Sequence, residues 1–470
     1  MKNYGLQLVA SSMWLLGSGA AFGYLAWAHH RRDFIIFLGL NLVLFGAYFS
    51  FLYWRKNPSA YFVLGLGLLS RLVFWPSLPV LSDDCFRFIW DGQLLLHGFN
   101  PFLYLPSEWR AQPAMPIPAL GEALYHRLNS PHYFTVYPPL HLGLSALGTG
   151  LFPESWLGAV NVMRSGIVLA DVGIFGLLVR LARQGALGAS LAHRGVWMGA
   201  VYFLNPVVVM EGVGNAHFEP IMLFFMLAGL YYTIFRRRAS FGALLFALAI
   251  ATKLLPLMLL PLVMRGLGLR KSLFFGGTLA LSFGLMFWPF LSMAFLQNLG
   301  RSLNLYFQHF EFNASVYYLL RALGTAWYGY NPIAMLGPGL KIATLLAILG
   351  LSFASKNTQR SLWLRPWQIF GLYYLLATTV HPWYLIPLIG LSFGHPLPLW
   401  WSAWVGLSYG AYQYSPYHEH LAWVSLEYSA LAIGGLFWLW LEKKERLPGK
   451  TKNDSSEGLK TAEKQPTDRA

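Results

Sequence analysis

The sequence predicts an all-α polytopic membrane protein, with about 11–14 transmembrane or re-entrant helices of the length that a bilayer requires. The 470 residues are 56% hydrophobic and only 11% charged, whereas soluble globular chains carry about 25% charged residues. The mean hydropathy is +0.47. The apolar residues form long runs, not the short alternating segments of a transmembrane barrel. These observations exclude a soluble enzyme, a disordered chain and a fibrous protein.

The apolar runs define the elements of this fold, taken in chain order. A retained first helix is favoured over a signal peptide for the N-terminal run, because the run is longer than the usual apolar core of a signal peptide. Several later runs are shorter than the roughly 20 residues that cross the hydrocarbon core, so some helices should be broken or re-entrant. We expect helices near 6–28, 34–54, 60–78, 156–179, 196–211, 219–235, 241–264, 272–292, 333–354, 366–380, 384–394, 398–412 and 421–441.

Basic loops predict the orientation of the chain. The net charge is +15, and most bases flank apolar runs, so positive-inside topology explains them and no nucleic-acid partner is expected. Arg236–Arg238 mark the cytoplasmic side most strongly, and Lys443 and Lys444 place the C-terminus there. Both termini are then cytoplasmic. Arg31 and Arg32 are exceptions, since they would lie outside.

The same topology divides the chain into one membrane unit, residues 1–441, and a charged, disordered cytoplasmic tail, residues 442–470. Two less apolar stretches, 79–155 and 297–331, become external loops. Cys85 is the single cysteine, so no intrachain disulfide can form.

The first external loop begins with two adjacent carboxylates, Asp83 and Asp84. Mutual repulsion can raise the pKa of one of them towards the range of a general base. If the segment is helical, Asp84, Arg87 and Asp91 share a face at spacings of three and four. That face could hold a base, a cation for a phosphate and a second carboxylate. The competing interpretation is an N-cap, with Ser82 or Asp83 starting an interfacial helix.

Other polar groups lie inside or at the ends of apolar runs, where a charge costs roughly 2.5–3.5 kcal/mol on insertion scales. Such groups should pair, face a cavity or lie near an interface. His217 and Glu219 are placed at the outer ends of two helices. Lys253 either snorkels to the surface or binds a phosphate. His381 either belongs to an aromatic-belt turn or is held over a cavity by Pro382 and Trp383.

Several of these motifs, in this order, resemble a known family: Asp83-Asp84, Trp90-Asp91-Gly92, Gly98-x-Asn100-Pro101, Tyr137-Pro138-Pro139, Asn205-Pro206, Thr252-Lys253-Leu254-Leu255-Pro256 and His381-Pro382-Trp383-Tyr384. The set, which spans residues 83–384, resembles bacterial polyprenyl-phosphate-sugar-dependent glycosyltransferases of the GT-C superfamily. It is most similar to the mannosyltransferase-like members, akin to the GPI mannosyltransferase I type.

The resemblance implies a GT-C-like helical bundle with a large external catalytic loop that opens to the periplasm. It implies an inverting hexose transfer, most simply of mannose, from a polyprenyl-phosphate carrier to a lipid or glycan acceptor. The general base falls on Asp84 or Asp83, and Lys253 and Arg87 would bind the donor phosphate. Substrate-binding roles fall on Asp91, Tyr137, His217, Glu219 and His381.

Two alternatives remain at this stage. Many helices with buried charges also suit a secondary transporter or flippase, although such proteins are built from two related halves and the sequence shows no such repeat. A non-catalytic membrane assembly protein would not need the carboxylate pair. No protein metal site is predicted, since carboxylates alone do not establish one. The need for a divalent cation stays open. No other cofactor is expected.

Overall fold

The computed structural model describes residues 2–111, 117–185, 189–354, 359–413 and 418–446, which fold almost wholly into helices. The described part contains no strand, only one isolated bridge between Phe312 and Thr379, so the all-α prediction is confirmed. Its α-helices are α1 (Lys2–Trp27), α2 (Phe34–Trp54), α3 (Ala60–Leu72), α4 (Asp84–Leu96), α5 (Pro106–Arg110), α6 (Glu122–Tyr125), α7 (Pro139–Leu151), α8 (Trp156–Arg183), α9 (Gly195–Phe203), α10 (Glu219–Leu230), α11 (Ala239–Thr252), α12 (Leu260–Leu267), α13 (Leu269–Phe287), α14 (Met293–Gln308), α15 (Val316–Tyr328), α16 (Ile333–Ala354), α17 (Gln359–Leu376), α18 (Leu385–Leu391), α19 (Pro396–Trp404) and α20 (Leu421–Arg446).

Within the described residues, five helices are long and apolar enough to cross a membrane by themselves. They are Phe34–Trp54, Trp156–Arg183, Leu269–Phe290, Ile333–Ala354 and Leu421–Lys444. A sixth span is possible if Ala192–Phe203 and Val208–Gly214, which meet at 57°, cross together. Five further apolar helices have only 10–17 residues, so the expectation of broken helices is confirmed. The chain is a multi-pass membrane protein whose continuous spans are fewer than its apolar runs.

Proline and polar residues explain where the predicted helices break. The helix expected to reach residue 78 ends at Leu72, because Pro76 follows and a proline disfavours helical backbone at the residue before it. The run expected at 241–264 is interrupted at Lys253, and a short 3₁₀ turn, Leu255–Leu259, leads into α12. The α12 helix packs against α13 and α16. The predicted tail begins inside α20, and residues 447–470 lie outside the described part.

The first of the two loops that the sequence predicts to be external is, in its described residues 79–111 and 117–155, a folded unit beside α8. Helix α4 packs along α7, and α7 packs along α8. Trp90 and Trp109 are buried in the apolar core of this unit, which extends to Met163 and Ile167 of α8. Because this core is continuous with a membrane-spanning helix, the loop holds its functional side chains at a fixed position over the bundle.

Two buried arginines tie the outer segments to the bundle. Arg71 pairs with Asp171 at 2.8 Å. Arg164 donates hydrogen bonds of 2.6–2.8 Å to the backbone carbonyls of Phe74, Ser77, Val213 and Gly214. Since five guanidinium donors can satisfy several carbonyls at once, Arg164 fixes the segment that leads to Asp83 against the segment that leads to His217. The expectation that interior charges find partners is confirmed for both arginines.

The second external stretch meets the segment before His381. The amide of Phe312 donates to the carbonyl of Thr378 at 3.1 Å, and the amide of Val380 donates to the carbonyl of Phe312 at 2.8 Å. This short parallel pairing brings the loop between α14 and α15 onto the segment after α17. This pairing places Phe312 beside the segment that leads to His381.

Candidate active site

The acid pair lies at the N-terminus of α4, but neither carboxylate caps the helix. Helix α4 begins at Asp84, and the side chain of Asp83 makes no capping hydrogen bond. The hydroxyl of Ser82 accepts from the amide of Asp84 at 3.3 Å instead. The capping interpretation thus applies to Ser82, and both carboxylates are available for other contacts.

The two aspartates contact different cations. Arg31, from the connection between α1 and α2, lies 2.7 Å from Asp83 and also packs over the ring of Tyr412. Asp84 accepts a hydrogen bond of 2.6 Å from the side-chain amide of Asn129, and its second oxygen lies 3.6 Å from Nε2 of His217. The side chains of Asp83 and Asp84 remain 29% and 20% exposed. Arg31, an exception to the positive-inside count, therefore lies on the side of the acids.

The expectation that one acid of the pair has a raised pKa is wrong for Asp84. Burial by itself raises the pKa of this carboxyl, but the close approach of His217 and the hydrogen bond from Asn129 outweigh it and lower the pKa to about 2. Hydrogen bonds and positive charge favour the ionised form. Asp84 is consequently a carboxylate throughout the physiological pH range.

His217 lies behind Asp84 in a buried turn between a π-helical segment, Val208–Gly214, and α10. Its Nδ1 lies 3.0 Å from the carbonyl oxygen of Glu211 and 3.5 Å from the Glu211 carboxylate. Burial disfavours the charged ring, yet the nearby carboxylates of Asp84 and Glu211 raise the pKa of His217 to about 9. The imidazole is therefore positively charged at neutral pH.

A column of four rings connects His217 to the second external stretch. Trp383 stacks between His217, at 3.9 Å between ring centroids, and His381, at 4.3 Å. Phe312 covers the other face of His381 at 4.6 Å. Burial, with the nearby charges of His217 and Lys253, lowers the pKa of His381 to about 3, although Asp84 opposes this. His381 is therefore neutral, and both faces of its ring are covered.

Lys253 stands at the break after α11 and contacts Glu219, the first residue of α10. Glu219 is fully buried, and its Oε2 has no hydrogen-bond partner. Lys253 remains 18% exposed and lies 5.9 Å from the ring centre of Tyr384. The side chain therefore neutralises a buried carboxylate while part of it still reaches the surface.

Arg87, Asp91 and Tyr137 contact other residues of the loop that contains the acid pair. Arg87 and Asp91 share a helix face, as their spacing predicted, but there they pair with each other at 2.9 Å. The Arg87 guanidinium also donates to the carbonyls of Ser130 and Tyr133, both at 2.9 Å, and both members of the pair are buried. Tyr137 stacks on His141 at 4.4 Å. These residues stabilise the interior of the first external loop.

Sequence reasoning missed three contributors to the site: Asn129, Tyr409 and the role of Arg31. Tyr409 donates its hydroxyl hydrogen bond to Glu211. Only Arg31 could have been noticed in the sequence, because the predicted topology placed it outside, against the positive-inside rule. Among the described residues, no group of three or more His, Cys, Asp or Glu side chains is arranged to hold a metal ion. The two acids of the pair instead face Arg31 and His217.

The sequence also matches proteins of known class. Residues 8–267, more than half of the chain, match the family described as Alpha-(1->6)-mannopyranosyltransferase, N-terminal domain. Over 212 residues the chain is 27% identical to Alpha-(1->6)-mannopyranosyltransferase A of Corynebacterium glutamicum. The matched region covers 42% of this chain and 38% of that relative. The chain thus matches well under two thirds of the relative's length. The match confirms the resemblance to mannosyltransferase-like membrane enzymes. By its match over the N-terminal half, the chain belongs to the alpha-(1->6)-mannopyranosyltransferase family.

Proposed function

We propose that this protein transfers mannose from a polyprenyl-phosphate carrier to a hydroxyl group of a lipid or glycan acceptor, with Asp84 as general base. The family and the name of the relative support an α-(1→6) mannosyl product. If the reaction inverts the anomeric centre, as in the enzymes that the sequence resembles, an α product requires a β-linked mannosyl phosphate. The anomeric bond to phosphate breaks, the acceptor oxygen bonds to that carbon, and the acceptor proton passes to Asp84.

The observation that carries this proposal is the position of Asp84. It is a partly exposed carboxylate held by Asn129 and faced by His217, at the place where the external segments meet. Asp83 is less suited to the role because Arg31 contacts its carboxylate at 2.7 Å. With a pKa of about 2, Asp84 is a weak base towards a free hydroxyl. Proton transfer should therefore occur late, as the new bond forms and the hydroxyl becomes acidic.

Lys253 is the cation we assign to the donor phosphate. An ammonium group has three donors, and Glu219 occupies only part of this capacity, so a phosphate oxygen can bind Lys253 while the ion pair persists. Negative charge grows on the leaving phosphate in the transition state, and a fixed cation stabilises it. We do not assign Arg87 to this role, because Asp91 and two carbonyls already occupy its guanidinium. The neutral edge of His381 suits a hydroxyl group of the sugar.

The geometry also supports a periplasmic site. His217 and Glu219 lie at one end of the continuous helix Glu219–Phe235, and Arg236–Arg238 directly follow its other end. A helix of this length spans about 25 Å, close to the roughly 30 Å of the hydrocarbon core. If the arginines face the cytoplasm of a bacterial inner membrane, as the positive-inside rule predicts, the acid pair opens to the opposite side.

The proposal is tested with purified protein in liposomes, a panel of polyprenyl-phosphate sugars and a synthetic octyl α-mannoside as acceptor. Mass analysis should show one added hexose only with the mannosyl donor, and cleavage by an α-mannosidase should confirm the linkage. Because cations of the protein face both acids, we expect the same rate with and without EDTA. Failure to transfer any sugar from the panel would contradict the proposal, and loss of activity in EDTA would restore a divalent cation to the mechanism.

A further inference from the structure

The turn that carries His217 has an unusual backbone. It follows the π-helical segment Val208–Gly214, and Ala216, which is fully buried, has a positive φ of 56°. Residues other than glycine rarely adopt this conformation, and both features cluster at functional sites. Arg164 holds the carbonyls of Val213 and Gly214 at 2.8 and 2.7 Å. The surrounding structure thus stabilises a strained turn that positions His217.

The ring of His217 has one orientation in this turn. Since Nδ1 lies 3.0 Å from the carbonyl of Glu211, that nitrogen must carry a hydrogen and donate it. The other nitrogen, Nε2, is buried without a hydrogen-bond partner and lies 3.6 Å from Oδ2 of Asp84. A neutral ring would therefore direct a lone pair at a carboxylate, which is unfavourable. A proton on Nε2 converts this repulsion into attraction.

Glu211 supports the ring from behind. Its fully buried carboxylate accepts from the hydroxyl of Tyr409 and, at 3.0 Å, from the side-chain amide of Asn215. The side-chain oxygen Oδ1 of Asn215 accepts in turn from the backbone amide of Leu81 at 3.2 Å, two residues before the acid pair. The imidazole consequently lies between two carboxylates, Asp84 in front and Glu211 behind.

We propose that His217 is a positioning residue, protonated in the working enzyme and held by Glu211, that fixes the carboxylate of Asp84 towards the acceptor hydroxyl. This inference rests on the proposed function, in which Asp84 is the base. During transfer the acceptor proton goes to Asp84, and His217 keeps its own. The stacking of Trp383 on the ring prevents it from rotating away. The charged and titratable groups that surround His217 are Asp84 of α4, Glu211 of the π-helical segment, Glu219 of α10, Lys253 after α11, His381 after α17 and His141 of α7.

The test is the pH dependence of the transfer rate. The wild-type rate should fall on the alkaline side near pH 9, where His217 loses its proton. Glu211→Gln removes a negative charge 3.5 Å from Nδ1 and should move this fall about one to two pH units lower. Tyr409→Phe leaves more of the Glu211 charge facing the ring, so the fall should move to higher pH. His217→Gln should abolish the fall and lower kcat about 10- to 100-fold, the scale of a misplaced catalytic group.

A matched control is available in His126, an exposed histidine that contacts Glu122 at 3.1 Å. His126→Gln should leave the profile unchanged. If His217→Gln does not fold, the opposite shifts of Glu211→Gln and Tyr409→Phe decide the question. If the alkaline fall in rate occurs at the same pH in Glu211→Gln, Tyr409→Phe and the wild type, the role of His217 is overturned. The proposed function still holds in that case if Asp84→Asn is inactive. An active Asp84→Asn instead overturns the proposed function on which it rests.

Discussion

The contact between Lys253 and Glu219 gives a prediction about the donor KM. The direction in which this KM changes distinguishes the roles of the two residues. Lys253→Met removes the cation that we assign to the donor phosphate and leaves Glu219 buried without its partner. Glu219→Gln keeps an oxygen that can accept from Lys253 but removes the negative charge. The double variant removes both charges. Lys341→Met, in the apolar helix α16, is the matched control.

The magnitude follows from Coulomb's law. A phosphate about 4 Å from the ammonium and about 6 Å from the Glu219 carboxylate is attracted by about 4 kcal/mol and repelled by about 3 kcal/mol at an effective dielectric constant of 20. Lys253 is 18% exposed, so we halve both values for solvent screening, to about 2 and about 1.5 kcal/mol. The donor KM should then rise about 30-fold in Lys253→Met, fall about tenfold in Glu219→Gln and rise two- to threefold in the double variant, at about 1.4 kcal/mol per tenfold change.

The assay measures initial rates against donor concentration, and inhibition by polyprenyl phosphate gives affinity without chemistry. Thermal unfolding of the detergent-solubilised variants is the control for folding. Lys253→Met should be the least stable, since breaking a buried pair costs about 3–5 kcal/mol, and the double variant should recover part of this loss. If Glu219→Gln weakens donor binding as much as Lys253→Met does, Glu219 contacts the substrate itself and the reasoning is refuted.

The remaining predictions concern stability and the first external loop. The pKa of His217 is raised from 6.5 to about 9, so its stabilising contribution should be complete below pH 6.5 and lost as the pH rises through 9. The pKa of Asp84 is lowered from 3.8 to about 2, so its contribution should be complete above pH 3.8 and lost as the pH falls through 2. Melting temperatures measured across this range should decline at both ends, and His217→Gln should flatten the alkaline decline. Arg87→Met should reduce the yield of folded protein, because it leaves the buried charge of Asp91 without its partner. The donor KM of the folded fraction should stay within twofold. A large rise in KM would assign Arg87 to the phosphate.

Local spacing predicted those parts of the site that depend on one helix or one break. The i, i+4 spacing of Arg87 and Asp91 predicted that they share a helix face, and their ion pair shows that they do. The short apolar runs predicted that some helices are broken, and one break follows Thr252. These features depend on neighbouring residues, and helical periodicity determines which side chains meet.

Contacts between distant parts of the chain could not be predicted in this way. Asn129 reaches Asp84 from 45 residues away, and Tyr409 reaches Glu211 from 198 residues away. No periodicity relates such positions, since the packing of helices brings them together. The same packing gives the two aspartates different partners, because Arg31 contacts only Asp83. The sequence therefore identified the acid pair but could not assign a partner to each acid.

The most direct test of the central claim compares the rate of a single turnover in Asp84→Asn and Asp83→Asn, with β-mannosyl phosphoryl polyprenol and octyl α-mannoside in liposomes. A general base contributes about 100- to 10,000-fold, so the single-turnover rate of Asp84→Asn should be at least about 100-fold lower than that of the wild type. Asp83→Asn, which only releases Arg31, should lose no more than about tenfold, the scale of an exposed ion pair with its local ordering. Melting temperatures within a few degrees of the wild type would show that both variants are folded. Wild-type turnover in Asp84→Asn, or a larger loss in Asp83→Asn, would contradict the assignment.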